Sequence, residues 1–252
     1  MNIKMIVTDL DGTLLRSDET VSERTISTFK RCRDSGLKVI YATGRGASSK
    51  VVVPNDLFDG FVRCNGATAH DGDKLIHSKR LEIDSVRPLL LAADASDTNI
   101  VVECDDFHYA NFDLATLWEA FEDYAKIADF STLTGQADKL YTPAITQDAV
   151  DLLKKHMPSD TYMYLSNDGF ALIMHNDATK SKAVNALANE WGIKPDEIVS
   201  FGDDTNDIDL LEYSGIGIAM GNASDIVKKS ANEICDTNNN DGIAKWLEAN
   251  VL

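Results

Sequence analysis

Near the amino terminus, Ile3-Lys4-Met5-Ile6-Val7-Thr8-Asp9-Leu10-Asp11-Gly12-Thr13 runs from apolar, β-branched residues into two carboxylates, a glycine and a hydroxyl. The run from Ile3 to Thr8 reads as a strand covered on both faces. Two more stretches have the same form. Leu37–Ala42 leads into Thr43-Gly44-Arg45, and Ile198–Phe201 leads into Gly202-Asp203-Asp204-Thr205-Asn206-Asp207. In an open parallel sheet the loops at the carboxyl ends of the strands meet in one crevice, so distant segments can share a site. Carboxylates, a hydroxyl and amide donors gathered there point to a metal ion and a phosphate.

Outward from these stretches, Ser22 caps a helix that displays Ile26 and Phe29 and stops near Gly36. With strands at Leu37–Ala42 and Phe61–Cys64 this makes a βαβ unit, whose strands pair in parallel across a right-handed crossover. The carboxyl-terminal part keeps that rhythm. Val184, Leu187, Ala188 and Trp191 recur at helical spacing before Gly192. Strands fit Ile198–Phe201 and Ile216–Met220, and helices fit Ile208–Tyr213 and a last stretch from Asp241-Gly242 carrying Ile243, Trp246 and Leu247.

Between these parts the pattern changes. Asp71-Gly72 reads as a hairpin turn joining Ala67–His70 to Leu75–His77. Val101–Glu103 faces Phe107–Tyr109 across Asp105-Asp106, and Tyr162–Leu165 faces Phe170–Met174 across Asn167-Asp168-Gly169. Amphipathic helices fit Val86–Ala95, with Pro88 in the first turn, Leu114–Ala128 and Ala149–Met157. The expectation is an α/β fold, a Rossmann-like parallel-sheet core from residues 1–80 and 178–252 with an inserted α+β domain at 81–177.

The 252 residues suffice for one large domain or two modest ones. With 24 basic and 41 acidic residues the net charge is −17, which argues against a nucleic-acid backbone or an anionic membrane as main partner. Small phosphorylated ligands stay open, because local donors and a cation override the global field. Cys32, Cys64, Cys104 and Cys235 lack Cys-x-x-Cys spacing and histidines at zinc-finger distances, so they read as free thiols in a reducing interior. A strand entered by Ile3 leaves no room for a signal peptide, and no apolar stretch is long enough to span a bilayer. A cytoplasmic protein is expected.

Alternation in an extended segment would point Asp9 and Asp11 the same way. The first would attack phosphorus, forming an aspartyl-phosphate. The second would protonate the leaving oxygen and later take a proton from water. Asp-Gly is also a common turn, but a buried strand before it and Gly-Thr within it favour the catalytic reading. An anion attacking a phosphate dianion needs charge compensation, and magnesium, a hard cation that takes oxygen ligands, suits the donors. Asp203 adds a carboxylate from another strand end. Asp204 is a candidate helix cap, and Asp207 fits a helix start best, which leaves it a supporting role. Thr43 and Gly44 form a plausible phosphate cradle; Arg45 serves the site or pairs beside it. Lys180 or Lys182, at the start of the helix after the insertion, would neutralise phosphate charge. Gly215-x-Gly217-x-x-x-Gly221 lies within a strand reading and opens no helix, which argues against a dinucleotide fingerprint.

These motifs together resemble the haloacid dehalogenase superfamily, in particular its Cof-type phosphatases with a large α/β cap. Asp9-x-Asp11-Gly12-Thr13 is similar to the first motif, Thr43-Gly44-Arg45 to the second and Gly202-Asp203-Asp204-x-Asn206-Asp207 to the fourth. In that subfamily the third motif's lysine precedes a Gly-Ile by twelve positions, which selects Lys180 ahead of Gly192-Ile193. Asn65-Gly66-Ala67 and Ala219-Met220-Gly221-Asn222-Ala223 carry the likeness further. The resemblance implies that Asp9 is nucleophile and magnesium ligand, and that Asp11 is the acid/base, touching the metal through its main-chain carbonyl. It implies that Asp203 completes the protein ligands. Thr43, Lys180, Asn206 and the backbone of Leu10 and Gly44 would hold the phosphate, and the inserted cap would choose the leaving group, with His108, Tyr109 and His175 as candidates. The implied activity is hydrolysis of a small phosphorylated metabolite such as a sugar phosphate, by a monomer or homodimer. A phosphomutase or phosphotransferase is the near alternative, and a phosphoacceptor signalling module the distant one.

Overall fold

Met5–Thr8 forms the central strand β1, and all four residues are buried. Ile6 packs with Phe29, Val39, Tyr41 and Phe201 on one side, whereas Met5 and Val7 pack with Ile40, Val62, Val184 and Leu187 on the other. A strand serving two cores must be apolar without alternation, as this one is. The computed structural model describes residues 2–46, 48–105, 107–117, 125–143, 146–166 and 169–252.

The chain divides into two units, Met1–Ser78 with Thr179–Leu252, and Lys79–Ala178. The first continues with α1 (Glu23–Asp34), β2 (Lys38–Ala42), α2 (Ser49–Val52), β3 (Gly60–Arg63), β4 (Thr68–Asp71) and β5 (Lys74–Ser78). The second holds β6 (Leu81–Glu82), α3 (Ile83–Ala95), β7 (Val101–Cys104), β8 (Phe107–Ala110), β9 (Ala125–Ile127), β10 (Gln136–Ala137) and β11 (Lys139–Pro143). It ends with α4 (Gln147–His156), β12 (Thr161–Leu165) and β13 (Phe170–His175). Back in the first unit come α5 (Lys180–Glu190), β14 (Ile198–Gly202), α6 (Ile208–Tyr213) and β15 (Ile216–Ala219). The chain finishes with α7 (Asp225–Ser230), β16 (Glu233–Ile234) and α8 (Gly242–Asn250).

The first unit's sheet has the order β16-β15-β14-β1-β2-β3-β4-β5. Its pairings are parallel from β16 to β3, and β4 and β5 join antiparallel. The expected α/β class with a Rossmann-like core is what the chain adopts. Ser22 caps α1, its Oγ accepting from Thr25 N–H at 3.1 Å.

The second unit has a sheet ordered β12-β13-β11-β7-β8-β9, antiparallel except for the parallel β8–β9 pair. Val86, Leu89 and Leu90 of α3 and Leu153 of α4 share a core with Val102, Leu140 and Ile173 of the strands. Two sequence expectations fail here. The helix expected over Leu114–Ala128 is, in its described parts, a 3-10 turn at Leu114–Thr116 and the strand β9. Pairing of residues 125–127 with β8 overrides the helical spacing, which a one-dimensional pattern cannot foresee. Pro88 lies inside α3 rather than in its first turn, because the helix begins earlier, at the fully buried Ile83. Residues 106 and 167–168 of the expected turns lie outside the described residues.

All four cysteines are thiols. Among the described residues no helix is long and apolar enough to cross a membrane.

Candidate active site

Parallel register places the three motif loops side by side. Thr8 pairs with Tyr41 on one flank and Phe201 on the other, so Asp9, Thr43 and Asp203 each lie one or two residues beyond the same level of three adjacent strands. Asp9 N–H donates to Phe201 C=O at 3.0 Å. After Asp9 the chain leaves the extended conformation in one wide turn, closed by Leu15 N–H donating to Leu10 C=O at 2.8 Å. Gly12 makes the turn with φ of +73°, and a Cβ there would stand 2.3 Å from Asp203 Oδ2. Glycine is therefore required twice, for its left-handed backbone and for the close approach.

The turn also corrects an expectation. Asp9 and Asp11 do not share an environment, because the alternation of an extended strand ends at Asp9. The Asp9 side chain is buried and accepts from Lys180 Nζ at 2.7 Å. The Asp11 side chain is about half exposed and meets Arg45, with Nε to Oδ2 at 2.7 Å and Nη2 to Oδ1 at 2.6 Å.

Lys180 opens α5, with Thr179 as its N-cap. Its ammonium is wholly buried and donates to Asp207 Oδ1 at 2.6 Å as well as to Asp9. Gly66, at φ of +109°, lets the Asn65 loop close on this helix start, where a Cβ would stand 2.2 Å from Thr179 O. Asp207 Oδ2 accepts from the N–H groups of Asp203 at 3.0 Å and Asp204 at 3.2 Å. Asp207 thus closes the turn as a helix-start residue should, and also holds the buried lysine. Sequence reasoning gave it too small a part, since the Asp204-x-x-Asp207 spacing looks like a capping box and is one.

Burial dominates the electrostatics. It pushes the Asp9 carboxyl well up, against the Lys180 ammonium, while Asp207 and Asp203 add to the rise. Burial pushes Asp203 up to about 7, opposed by Thr13, whose hydroxyl donates to Asp203 Oδ1 at 2.7 Å. Burial also disfavours the Lys180 charge, but the Asp207 and Asp9 carboxylates outweigh it and hold the ammonium protonated beyond the usual range.

The remaining candidates lie around this cluster. Thr43 is fully buried, and its Oγ1 accepts from Arg45 N–H at 3.1 Å. Asn206 donates to Asn65 Oδ1 at 2.9 Å, and Asn65 borders Gly44 as well. Asn65 stood out in the sequence only through the family likeness. Leu10 is a core residue, which leaves its backbone for the site. Asp204 caps the turn, accepting from Thr205 N–H at 2.6 Å. In the second unit His108 meets Tyr141 Oη through Nδ1 at 3.2 Å. There Tyr109 packs toward the helix-side core, and His175 accepts from Asp177 N–H at 2.9 Å.

Asp9, Asp203 and Asp207 each offer an oxygen, all within 4.8 Å of one another. Three carboxylates are the hard donors that magnesium takes, and the space beside Asp203 Oδ2 is kept open by Gly12. The donor set therefore fits such an ion. Asp207 already spends both oxygens on Lys180 and backbone N–H groups, so Asp9 and Asp203 are the better placed to give direct ligands. The Asp11 side chain is outside the group.

A Rossmann-like sheet with a carboxylate cluster at its strand ends defines a class of α/β proteins built for chemistry at that edge. The chain belongs to the haloacid dehalogenase-like hydrolases, whose sequence pattern matches residues 6–247. It is 28% identical to the 5-amino-6-(5-phospho-D-ribitylamino)uracil phosphatase YitU of Bacillus subtilis (strain 168), over 97% of this chain and 96% of that one. It is 27% identical to the pyridoxal phosphate phosphatase YbhA of Escherichia coli (strain K12), over the whole of both. In three dimensions it resembles the HAD subclass IIB sugar phosphatase BT4131, with a TM-score of 0.84, 23% identity and 98% of each chain covered.

Proposed function

We propose that this protein is a magnesium-dependent phosphatase of small phosphorylated metabolites, sugar phosphates among them, and works through an aspartyl-phosphate. The observation that carries this reading is the buried Asp9 carboxylate paired with Lys180 beside Asp203 and Asp207. A nucleophile there is shielded from water and faces a fixed positive charge. Relatives acting on phosphorylated small molecules support the substrate class.

In the first step an Asp9 oxygen attacks phosphorus, and the ester P–O bond breaks. Its electron pair goes to the leaving oxygen, which takes a proton from Asp11. In the second step water attacks the aspartyl-phosphate, Asp11 takes the water's proton, and Asp9 and inorganic phosphate are released. Lys180, Thr43, Asn206 and the N–H groups of Leu10 and Gly44 hold the phosphoryl oxygens. Magnesium held by Asp9, Asp203 and the Asp11 carbonyl would supply charge compensation. The second unit would serve as the cap that reads the leaving group. The four thiols and the acidic surface suit a cytoplasmic setting.

The test is phosphate release from a panel of phosphorylated metabolites with magnesium, repeated after chelation and with Asp9→Asn. Turnover that disappears with chelator, returns with magnesium and is absent in Asp9→Asn supports the reading. No release from any member, or full activity in Asp9→Asn, overturns it; a stable acyl-phosphate without turnover would make the protein a phosphoacceptor instead.

A further inference from the structure

Arg45 has no role in the chemistry described so far, yet its side chain and its backbone are both tied to residues of the motif loops. Its guanidinium forks both oxygens of Asp11, at 2.7 and 2.6 Å, and Nη2 also reaches Glu19 Oε1 at 3.3 Å. Its backbone is tied to the phosphate loop on both sides: N–H to Thr43 Oγ1 at 3.1 Å, and C=O from Cys64 N–H at 3.1 Å.

The backbone of Glu19 is fixed as well. It is one of few non-glycine residues in the left-handed region, with φ of +61°, a conformation that persists only where surroundings impose it. The surroundings are visible. Glu19 N–H donates to Arg16 C=O at 2.9 Å, Arg16 pairs with Asp241 at 2.6 Å, and Ser17 N–H donates to Asn239 Oδ1 at 3.0 Å. The turn is thereby pinned just before α8, and its carboxylate is presented to Arg45.

We propose that Arg45, steadied by Glu19, is a positioning residue that holds the acid/base Asp11 against the Thr43 loop. The Asp11 side chain is about half exposed, and nothing in its own wide turn restrains it. Unrestrained, such a carboxylate spends most of its time in solvent-facing rotamers. The planar fork matches a carboxylate with two parallel bonds and removes that freedom, as an ammonium cannot.

This inference rests on the acid/base reading of Asp11, and the experiment separates the two. Arg45→Met, Arg45→Lys, Asp11→Asn and the double variant are compared on an alkyl phosphate from the panel and on p-nitrophenyl phosphate, whose leaving group needs no proton. Arg45→Met should lower kcat on the alkyl ester about ten- to a hundredfold with KM nearly unchanged, the scale of a misplaced catalytic group. In single-turnover release of the leaving group, which reads the first step alone, the loss should be much smaller with p-nitrophenyl phosphate than with the alkyl ester; Arg45→Lys should restore part of it, and the double variant should match Asp11→Asn alone. A rise in KM without loss of kcat, or losses that multiply in the double variant, would overturn the role of Arg45. If Asp11→Asn slows single-turnover release of the leaving group equally with both esters, the acid reading of Asp11 fails and this inference falls with it.

Discussion

Two carboxylates on one loop, Asp9 and Asp11, each meet a cation, and the two pairs obey different physics. Asp9 shares Lys180 with Asp207, and all three side chains are almost free of solvent. Asp11 shares Arg45 with Glu19, and the carboxylates there are 53% and 72% exposed. In the first pair no water can replace a missing partner, so each charge is obligatory once the others are present. In the second, water competes for every bond, so the pair adds orientation more than stability. The same pairing of opposite charges is structural in one place and positional in the other.

The sharpest way to break this comparison is at Asp9. Asp9→Asn keeps the shape but removes the proposed nucleophile, and phosphate release should fall by about 10⁴-fold or more. Acid-quench trapping should find no acyl-phosphate. Lys180→Met comes next, since it leaves Asp9 and Asp207 buried without their counter-ion. Urea denaturation should show a loss of about 3–5 kcal/mol; a loss below about 1 kcal/mol would place the cluster in the exposed class. Gly12→Ala tests the link between the loop and Asp203. A left-handed alanine costs about 1–3 kcal/mol, and the displaced Asp203 should weaken magnesium binding in calorimetric titration. The smallest effect belongs to Arg45→Met, whose unfolding free energy should stay within about 1 kcal/mol of the parent, because both carboxylates it meets are more than half exposed. Its thermal midpoint should therefore hardly move while its kcat falls.

The site was legible in the sequence wherever function and strand end coincide. Asp9, Thr43 and Asp203 each follow an apolar run that can only be a buried strand, so their convergence followed from sheet topology. Lys180 was not legible that way. It opens a helix rather than ending a strand of the first unit's sheet, and the residues alone did not separate it from Lys182; the family spacing did. Asp207 was visible but undervalued, because one side chain both closes its turn and holds Lys180. The divergence of Asp9 from Asp11 was misread, since an alternation rule holds only while the backbone stays extended, and here it ends after Asp9. In the second unit the helix expected at Leu114–Ala128 gives way at residues 125–127 to β9, which pairs with β8, a partner distant from the local pattern.

By itself, then, the sequence determined the α/β core, the order of its motifs and the residue types that meet at the strand ends. Those properties follow from local patterns: apolar runs, glycines and carboxylates at set positions. Only the tertiary structure decided which cation each carboxylate meets and which of those meetings are dry. Burial is a property of all the chain packed around a group, and burial turns the Asp9–Lys180–Asp207 cluster into an obligatory unit while leaving Asp11 to be held in place by Arg45.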